Sequence, residues 1–75
     1  MDGRVVLVTG AAGGIGQAVA ARLRDRGDAV VLTDVDAHGL ERVAAELGIP
    51  DTVVADVTVV ADCERAVART VERHG

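Results

Sequence analysis

The chain of 75 residues contains no Phe, Tyr or Trp. At this length it forms at most one small domain, whose core must be built from Val, Leu, Ile and Ala. Such a core suits helices packed on a buried parallel sheet. Ser, Lys and Asn are also absent, so the usual hydroxyl nucleophiles other than Thr and the amine and phenol acid–base groups are missing. We therefore predict no catalytic residue in this chain.

Other scarcities exclude several kinds of partner. The net charge of −4 gives no basic face for nucleic acid. A single cysteine, Cys63, excludes an internal disulfide and a zinc site made of cysteines, and we expect it only to pack in a helix. His38 and His74 have no carboxylate or Cys partner at ligand spacing, so no metal site is predicted. The first apolar run has five residues, too short for a signal or a membrane span, which predicts a cytoplasmic protein without a membrane partner.

The apolar and glycine patterns predict alternating strands and helices. We expect strands over residues 5–9, 29–33 and 52–55, and helices over 14–26, 37–47 and 59–74. Asp36 is the expected N-cap of the second helix, and Gly48 and Pro50 end it. The fold class is α/β, with a Rossmann-type parallel sheet of strand order 3-2-1 and the first two helices on one face. This is an incomplete half of a doubly wound domain, and we expect a fourth strand beyond the first.

Each predicted helix has an apolar stripe. In the second helix the spacing is that of a core-facing surface, and in the other two the apolar residues also share one side. The three stripes are Ile15, Val19 and Leu23; Leu40, Val43, Ala44 and Leu47; and Val60, Cys63, Val67 and Val71.

A glycine-dense turn joins the first strand to the first helix. It satisfies two spacings that share their first and last glycines: one uses Gly10, Gly14 and Gly16, and the other replaces Gly14 with Gly13. Glycine lets a ligand approach the backbone, and the start of a helix offers unpaired N–H groups and a positive dipole end. A purely structural turn is the alternative. The position of this glycine turn between a strand and a helix favours a dinucleotide phosphate site instead.

Two acidic residues follow the second and third strands. Asp34 can accept hydrogen bonds from the adenosine ribose and would repel a 2′-phosphate, which neighbouring Gly13 and Val35 cannot offset. We therefore predict NAD(H) in preference to NADP(H). Asp56 can accept from the adenine amino group while the backbone N–H at Val57 serves a ring nitrogen. The alternatives are a capping or solvated Asp34, and an Asp56 that only caps the last helix.

These motifs together resemble the N-terminal portion of classical short-chain dehydrogenases/reductases. The resemblance covers essentially the whole chain and rests on the segment 9–16, on Asp34, and on the segment 56–58. It implies that the glycine turn lines the pyrophosphate and nicotinamide side, that Asp34 holds the ribose, and that the segment after the third strand holds the adenine. Taken with the motifs above, the residues that we predict to bind the cofactor are Gly10, Gly13, Gly14, Ile15, Gly16, Asp34, Val35, Asp56 and Val57.

The family's catalytic motifs are not matched in this chain. The Asn-Asn-Ala-Gly segment, the catalytic Ser and the Tyr-x-x-x-Lys pair have no counterpart, because these 75 residues lack Asn, Ser, Tyr and Lys. We therefore expect no dehydrogenase turnover from this chain. By the resemblance, residues 1–75 are the N-terminal part of a single NAD-binding domain. The longer parent protein is expected to be a homo-oligomer that transfers hydride between NAD(H) and an alcohol or carbonyl substrate.

Two other interpretations stay open. The second glycine spacing also resembles the extended branch of the family, which includes epimerases and dehydratases. The chain could instead be a complete, non-catalytic dinucleotide-binding module.

Overall fold

The computed structural model describes residues 3–75. Strands β1 (Val5–Val8), β2 (Ala29–Asp34) and β3 (Thr52–Val54) alternate with helices α1 (Gly14–Asp25), α2 (Ala37–Leu47) and α3 (Val60–His74). The strands form one parallel sheet in the order β1-β2-β3, which is 3-2-1 when read from the opposite edge. The predicted α/β class with a Rossmann-type parallel sheet is confirmed.

The register brings the carboxyl ends of the strands together. Val8 pairs with Leu32, and Asp34 pairs with Val54. The first strand therefore ends at Val8 and the third at Val54, so the predicted strands 5–9 and 52–55 were each one residue too long, whereas the predicted strand 29–33 was one residue too short. The loops that follow the three strands all leave from one edge of the sheet, which is where open α/β sheets bind ligands.

Alternate residues of β2 face two separate core layers. Val30 and Leu32 contact the layer that holds α1 and α2, whereas Val31 contacts the layer under α3. The first layer contains Val8, Ala11, Ala20, Val30, Leu32, Leu40, Val43 and Ile49, and the second contains Val31, Val53, Ala55 and Ala66. The first two helices lie on the same face, as the right-handed crossover rule predicts.

The ends of α2 follow the sequence signals. The Asp36 side chain accepts a hydrogen bond from the Gly39 N–H at 3.1 Å, which confirms it as the N-cap. Gly48 follows the helix with φ +67°, a left-handed conformation that glycine adopts without strain. The apolar stripe of α2 also faces the core, with Leu40 and Val43 fully buried.

The apolar stripes of α1 and α3 face the described core only in part. Ile15 is 85% exposed and Val19 45% exposed, whereas Leu23 of the same stripe packs against the core, and the fully buried residue of α1 is Ala20. In α3 the buried residue is Ala66, and the side chains at Val60, Val67 and Val71 are exposed. Helical spacing indicates an apolar face but not what covers it. The small side chains of Ala20 in α1 and Ala66 in α3 allow these helices to approach the sheet.

The longest helix in the described part of the chain is α3, with 15 residues. Within residues 3–75 no helix combines the length and the hydropathy needed to cross a membrane.

These features predict marginal stability for the 75-residue chain. Its core contains no side chain larger than leucine, and within residues 3–75 strand β1 has only one neighbour, β2. We expect a free energy of unfolding below about 5 kcal/mol and association through the unpaired edge of β1. Urea unfolding followed by circular dichroism at several protein concentrations tests this. A steep, concentration-independent transition of a monomer would contradict it.

Candidate functional site

The turn after β1 depends on glycine at two positions for different reasons. Gly10 has φ +64°, which favours glycine, and its carbonyl accepts a hydrogen bond from the Gly13 N–H at 3.1 Å. At Gly16 a Cβ atom would overlap the Gly10 carbonyl oxygen and lie 2.9 Å from the Ala11 Cα. Gly10 therefore sets the direction of the turn, and Gly16 lets α1 lie directly against it.

The start of α1 presents unpaired backbone donors. Its N-cap is Gly13, which has no side chain to cap the helix, and the first turn contains no acidic residue. The N–H groups of Gly14, Ile15 and Gly16 donate to no group within residues 3–75. A Cβ atom at Gly14 would meet nothing within 4 Å, so the approach to these donors is open. The arrangement suits a phosphate group, which accepts several hydrogen bonds and is attracted by the positive end of the helix dipole.

Asp34 connects the end of β2 to the glycine turn. One carboxylate oxygen accepts from the Ala12 N–H and the other from the Asp36 N–H, each at 2.9 Å. These bonds, with the Asp36 N–H as the larger cause and the Ala12 N–H next, lower the pKa of Asp34 from its ordinary value. The cap of α2 is Asp36, so Asp34 is an ionised group at the sheet edge and not a helix cap.

Asp56 and Val57 form the start of the loop after β3. Asp56 Oδ1 accepts from the Thr58 hydroxyl at 2.6 Å and from the Thr58 N–H at 2.9 Å. The hydroxyl bond is the larger cause, and together the two bonds lower the pKa of Asp56. Since the N-cap of α3 is Val59, the Asp56 carboxylate does not cap that helix. The Val57 N–H donates to no group in the described chain, and its side chain is exposed.

A groove joins these loops along the sheet edge. It encloses about 120 Å³ and is lined by Gly10, Asp34, Val35, Ala55, Asp56 and Val57. Two ionised carboxylates line it and no basic side chain does. The other predicted residues, Gly13, Gly14, Ile15 and Gly16, do not line the groove but lie at the start of α1, after Gly10 in the same turn.

The structure adds two polar side chains that the sequence analysis missed. Gln17 Nε2 donates to the Ala12 carbonyl at 3.1 Å, and Asp62 Oδ2 accepts from the Asp56 N–H at 2.9 Å. Each lies in the first turn of a helix, directly after a loop of the site. A polar residue at that position was the available signal in both cases.

His74 has a carboxylate partner that sequence spacing did not indicate. Its Nε2 lies 2.7 Å from Asp51 Oδ2, at the amino end of β3 and therefore at the opposite edge of the sheet. The partner was not visible in the sequence because 23 residues separate the pair. His38 is exposed, and within residues 3–75 no group of three His, Cys, Asp or Glu side chains could hold a metal ion.

Comparison with known proteins identifies relatives of this arrangement. Residues 4–75 match the sequence profile of the family described as short chain dehydrogenase. The chain is 41% identical over 78 residues to 11-beta-hydroxysteroid dehydrogenase A of Sesamum indicum, a match that covers 97% of this chain and 22% of that protein.

Solved structures share the fold. A 3-ketoacyl-(acyl-carrier-protein) reductase from Brucella melitensis, complexed with NADH, superposes with a TM-score of 0.88 at 38% identity, covering 96% of this chain and 30% of that one. An actinorhodin polyketide ketoreductase with NADPH gives a TM-score of 0.90 at 37% identity, covering 99% and 30%. The chain thus spans less than a third of the length of each of these relatives.

Gly14 and Gly16 should respond differently to replacement by alanine. Gly16→Ala places a methyl group against the Gly10 carbonyl and should lower the free energy of unfolding by about 1–3 kcal/mol. Gly14→Ala is the matched control, because its methyl group enters open space and alanine favours a helix by about 1 kcal/mol over glycine. Urea titration measures both. Equal stability of the two variants would contradict the close contact at Gly16.

Asp34 should contribute to stability in a pH-dependent way. Because its pKa is lower in the folded chain than the ordinary 3.8, its contribution is fully present above that value. This contribution to the free energy of unfolding is lost as the pH falls through the lowered pKa of Asp34. Asp34→Asn should therefore be less stable than the unmodified chain at pH 7, and the difference should shrink towards pH 2. Chemical unfolding across this range tests it, and a difference that does not change with pH would refute the role of the charge.

Proposed function

Because this chain belongs to the short-chain dehydrogenase family, we propose that its 75 residues bind NAD(H) as the N-terminal part of a single Rossmann-type domain. The family supports oxidoreductase chemistry with a nicotinamide dinucleotide. The observation that carries the proposal is one sheet edge that combines unpaired helix N–H groups with two ionised carboxylates. The first suits the pyrophosphate and the second suits the hydroxyl and amino groups of adenosine.

The pyrophosphate binds at the start of α1. The N–H groups of Gly14, Ile15 and Gly16 supply the donors, and the absence of a side chain at Gly13 and Gly14 leaves room for the phosphate oxygens. The exposed Ile15 side chain extends the same surface towards the nicotinamide end.

The adenosine half binds in the groove. Asp34 accepts hydrogen bonds from the ribose hydroxyls, and Val35 forms the adjacent wall. At the far end Asp56 accepts from the adenine amino group, and the unpaired Val57 N–H donates to a ring nitrogen. Each Asp34 oxygen already accepts one backbone N–H but keeps a second lone pair for a ribose hydroxyl, and the Val57 N–H is unpaired within residues 3–75.

The groove favours NAD(H) over NADP(H). A 2′-phosphate on the ribose would lie beside the Asp34 carboxylate, and no arginine lines the groove to neutralise it. Solved relatives include one complexed with NADH and one with NADPH, so the preference rests on the charges of this chain.

When bound, the nicotinamide supplies or accepts the hydride. We propose that the complete protein transfers it between NAD(H) and an alcohol or carbonyl substrate, and that it is a cytoplasmic homo-oligomer. The residues of this chain bind and orient the cofactor. The exposed apolar residues of α1 and α3 and the open edge of β1 support a sheet that continues past β1 in the same domain.

Cofactor titration by intrinsic NADH fluorescence tests the preference. The unmodified chain should bind NADH at least about tenfold more tightly than NADPH, because like charges repel at short range. Asp34→Asn should bring the ratio to about one to two, since the repulsion is removed. The ratio is informative because any disturbance of the glycine turn affects both cofactors equally.

Glu41→Gln is the matched control, since Glu41 is an exposed acid of α2 outside the groove. It should leave the ratio unchanged. Equal or tighter NADPH binding by the unmodified chain would refute the preference, and no binding of either cofactor would refute the proposed function.

A further inference from the structure

The loop between β3 and α3 is held by the first turn of the helix that follows it. Asp62 Oδ2 accepts a hydrogen bond from the Asp56 N–H at 2.9 Å, and the Cys63 thiol donates to the Val57 carbonyl at 3.1 Å. Both side chains are half-buried. Two neighbouring residues of α3 thus bind two successive residues of the loop.

Each peptide group of this loop is hydrogen-bonded through its N–H, its carbonyl oxygen or both. The peptide before Asp56 is bound through its N–H to Asp62, and the next is bound through the Asp56 carbonyl, which accepts from the Val59 N–H at 2.9 Å. The third is bound at the Val57 carbonyl by Cys63 and at the Thr58 N–H by the Asp56 carboxylate. The Val57 N–H is the donor left over, and it lies in the groove lining.

The position of Asp62 allows an ordinary structural explanation as well. It is the acidic residue in the first turn of α3, where a negative charge stabilises the helix dipole. Its other oxygen, Oδ1, lies 3.7 Å from Arg65 Nη2, and Arg65 donates to the Val54 carbonyl at 2.7 Å. A dipole or ion-pair role requires only the charge, whereas the bond to Asp56 requires an acceptor oxygen directed back at the loop.

We propose that Asp62 is a positioning residue of the adenine subsite. By accepting the Asp56 N–H it fixes the loop so that the Val57 N–H and the Asp56 carboxylate face the base in constant directions. This inference rests on the proposed function, since it assigns a support to the adenine end of that site. Asp62 itself does not line the groove, so the proposal gives it no direct contact with the nucleotide.

Three variants separate the hydrogen bond from the charge. Asp62→Ala removes both, Asp62→Asn removes the charge but keeps an acceptor oxygen, and Glu64→Ala removes an exposed charge from the same helix. The probes are 5′-AMP, which contains adenine, and nicotinamide mononucleotide, which does not. Calorimetric titration gives Kd for each probe, and urea unfolding gives the stability of each variant.

Asp62→Ala should weaken 5′-AMP binding about fivefold to tenfold, the effect of losing one hydrogen bond that orients the site. Asp62→Asn should stay within about twofold of the unmodified chain, and so should Glu64→Ala. Nicotinamide mononucleotide should bind equally to all four proteins. Asp62→Ala and Asp62→Asn should both lose stability, because both lose the charge near the helix start.

A merely structural role predicts another pattern. Equal 5′-AMP affinity in Asp62→Ala and the unmodified chain, or equal losses in Asp62→Ala and Asp62→Asn, would overturn the proposal. If the unmodified chain binds neither 5′-AMP nor NADH, the proposed function itself fails.

Amide hydrogen exchange in the unmodified chain tests the contact without any variant. The Asp56 N–H should exchange at least about tenfold more slowly than the unpaired Val57 N–H, because only the first is hydrogen-bonded. Similar exchange rates at the two positions would overturn the proposal even if Asp62→Ala fails to fold.

Discussion

The attachment of the glycine turn to the end of β2 is the constraint on which the site depends. Ala11 N–H donates to the Thr33 carbonyl at 3.0 Å, and the next N–H, that of Ala12, donates to Asp34. Two successive bonds fix both the position and the orientation of the turn relative to the central strand. A glycine-rich segment without them would have many conformations, and its donors would be ordered only at an entropic cost when a ligand binds.

This attachment also explains how opposite electrostatic demands are met at one edge. The pyrophosphate requires donors and a positive potential, which the start of α1 supplies without any cationic side chain. The adenosine requires acceptors, and the carboxylates of Asp34 and Asp56 supply them in a separate groove. Both acceptors are ionised at neutral pH, and the hydrogen bonds that they accept lower both pKa values further. Charge is thus divided along the edge, with helix donors at one end and carboxylates at the other.

The sequence predicted what depends on local chemistry. Strand and helix positions, the cap at Asp36 and the edge on which the acids lie follow from periodicity, capping preference and parallel connections. It predicted the core-facing side of α1 only in part, because Leu23 of the apolar stripe packs against the core whereas Ile15 is exposed and the fully buried residue is Ala20. The pair of His74 and Asp51 depends on tertiary distance alone. Apolar spacing describes a surface, and only the fold determines its partner.

The same distinction applies within the site. Glycines and acids next to a strand end form recognisable motifs because the ligand or the backbone constrains them directly. Gln17 and Asp62 carry no such signature, yet each is bonded to a backbone group of a motif residue. Their chemical requirement is only an oxygen or an amide at the right place, which several residue types could satisfy. Sequence motifs therefore describe least well the residues that hold the loops of a nucleotide site. These residues affect affinity by setting the direction of the backbone groups that they bind.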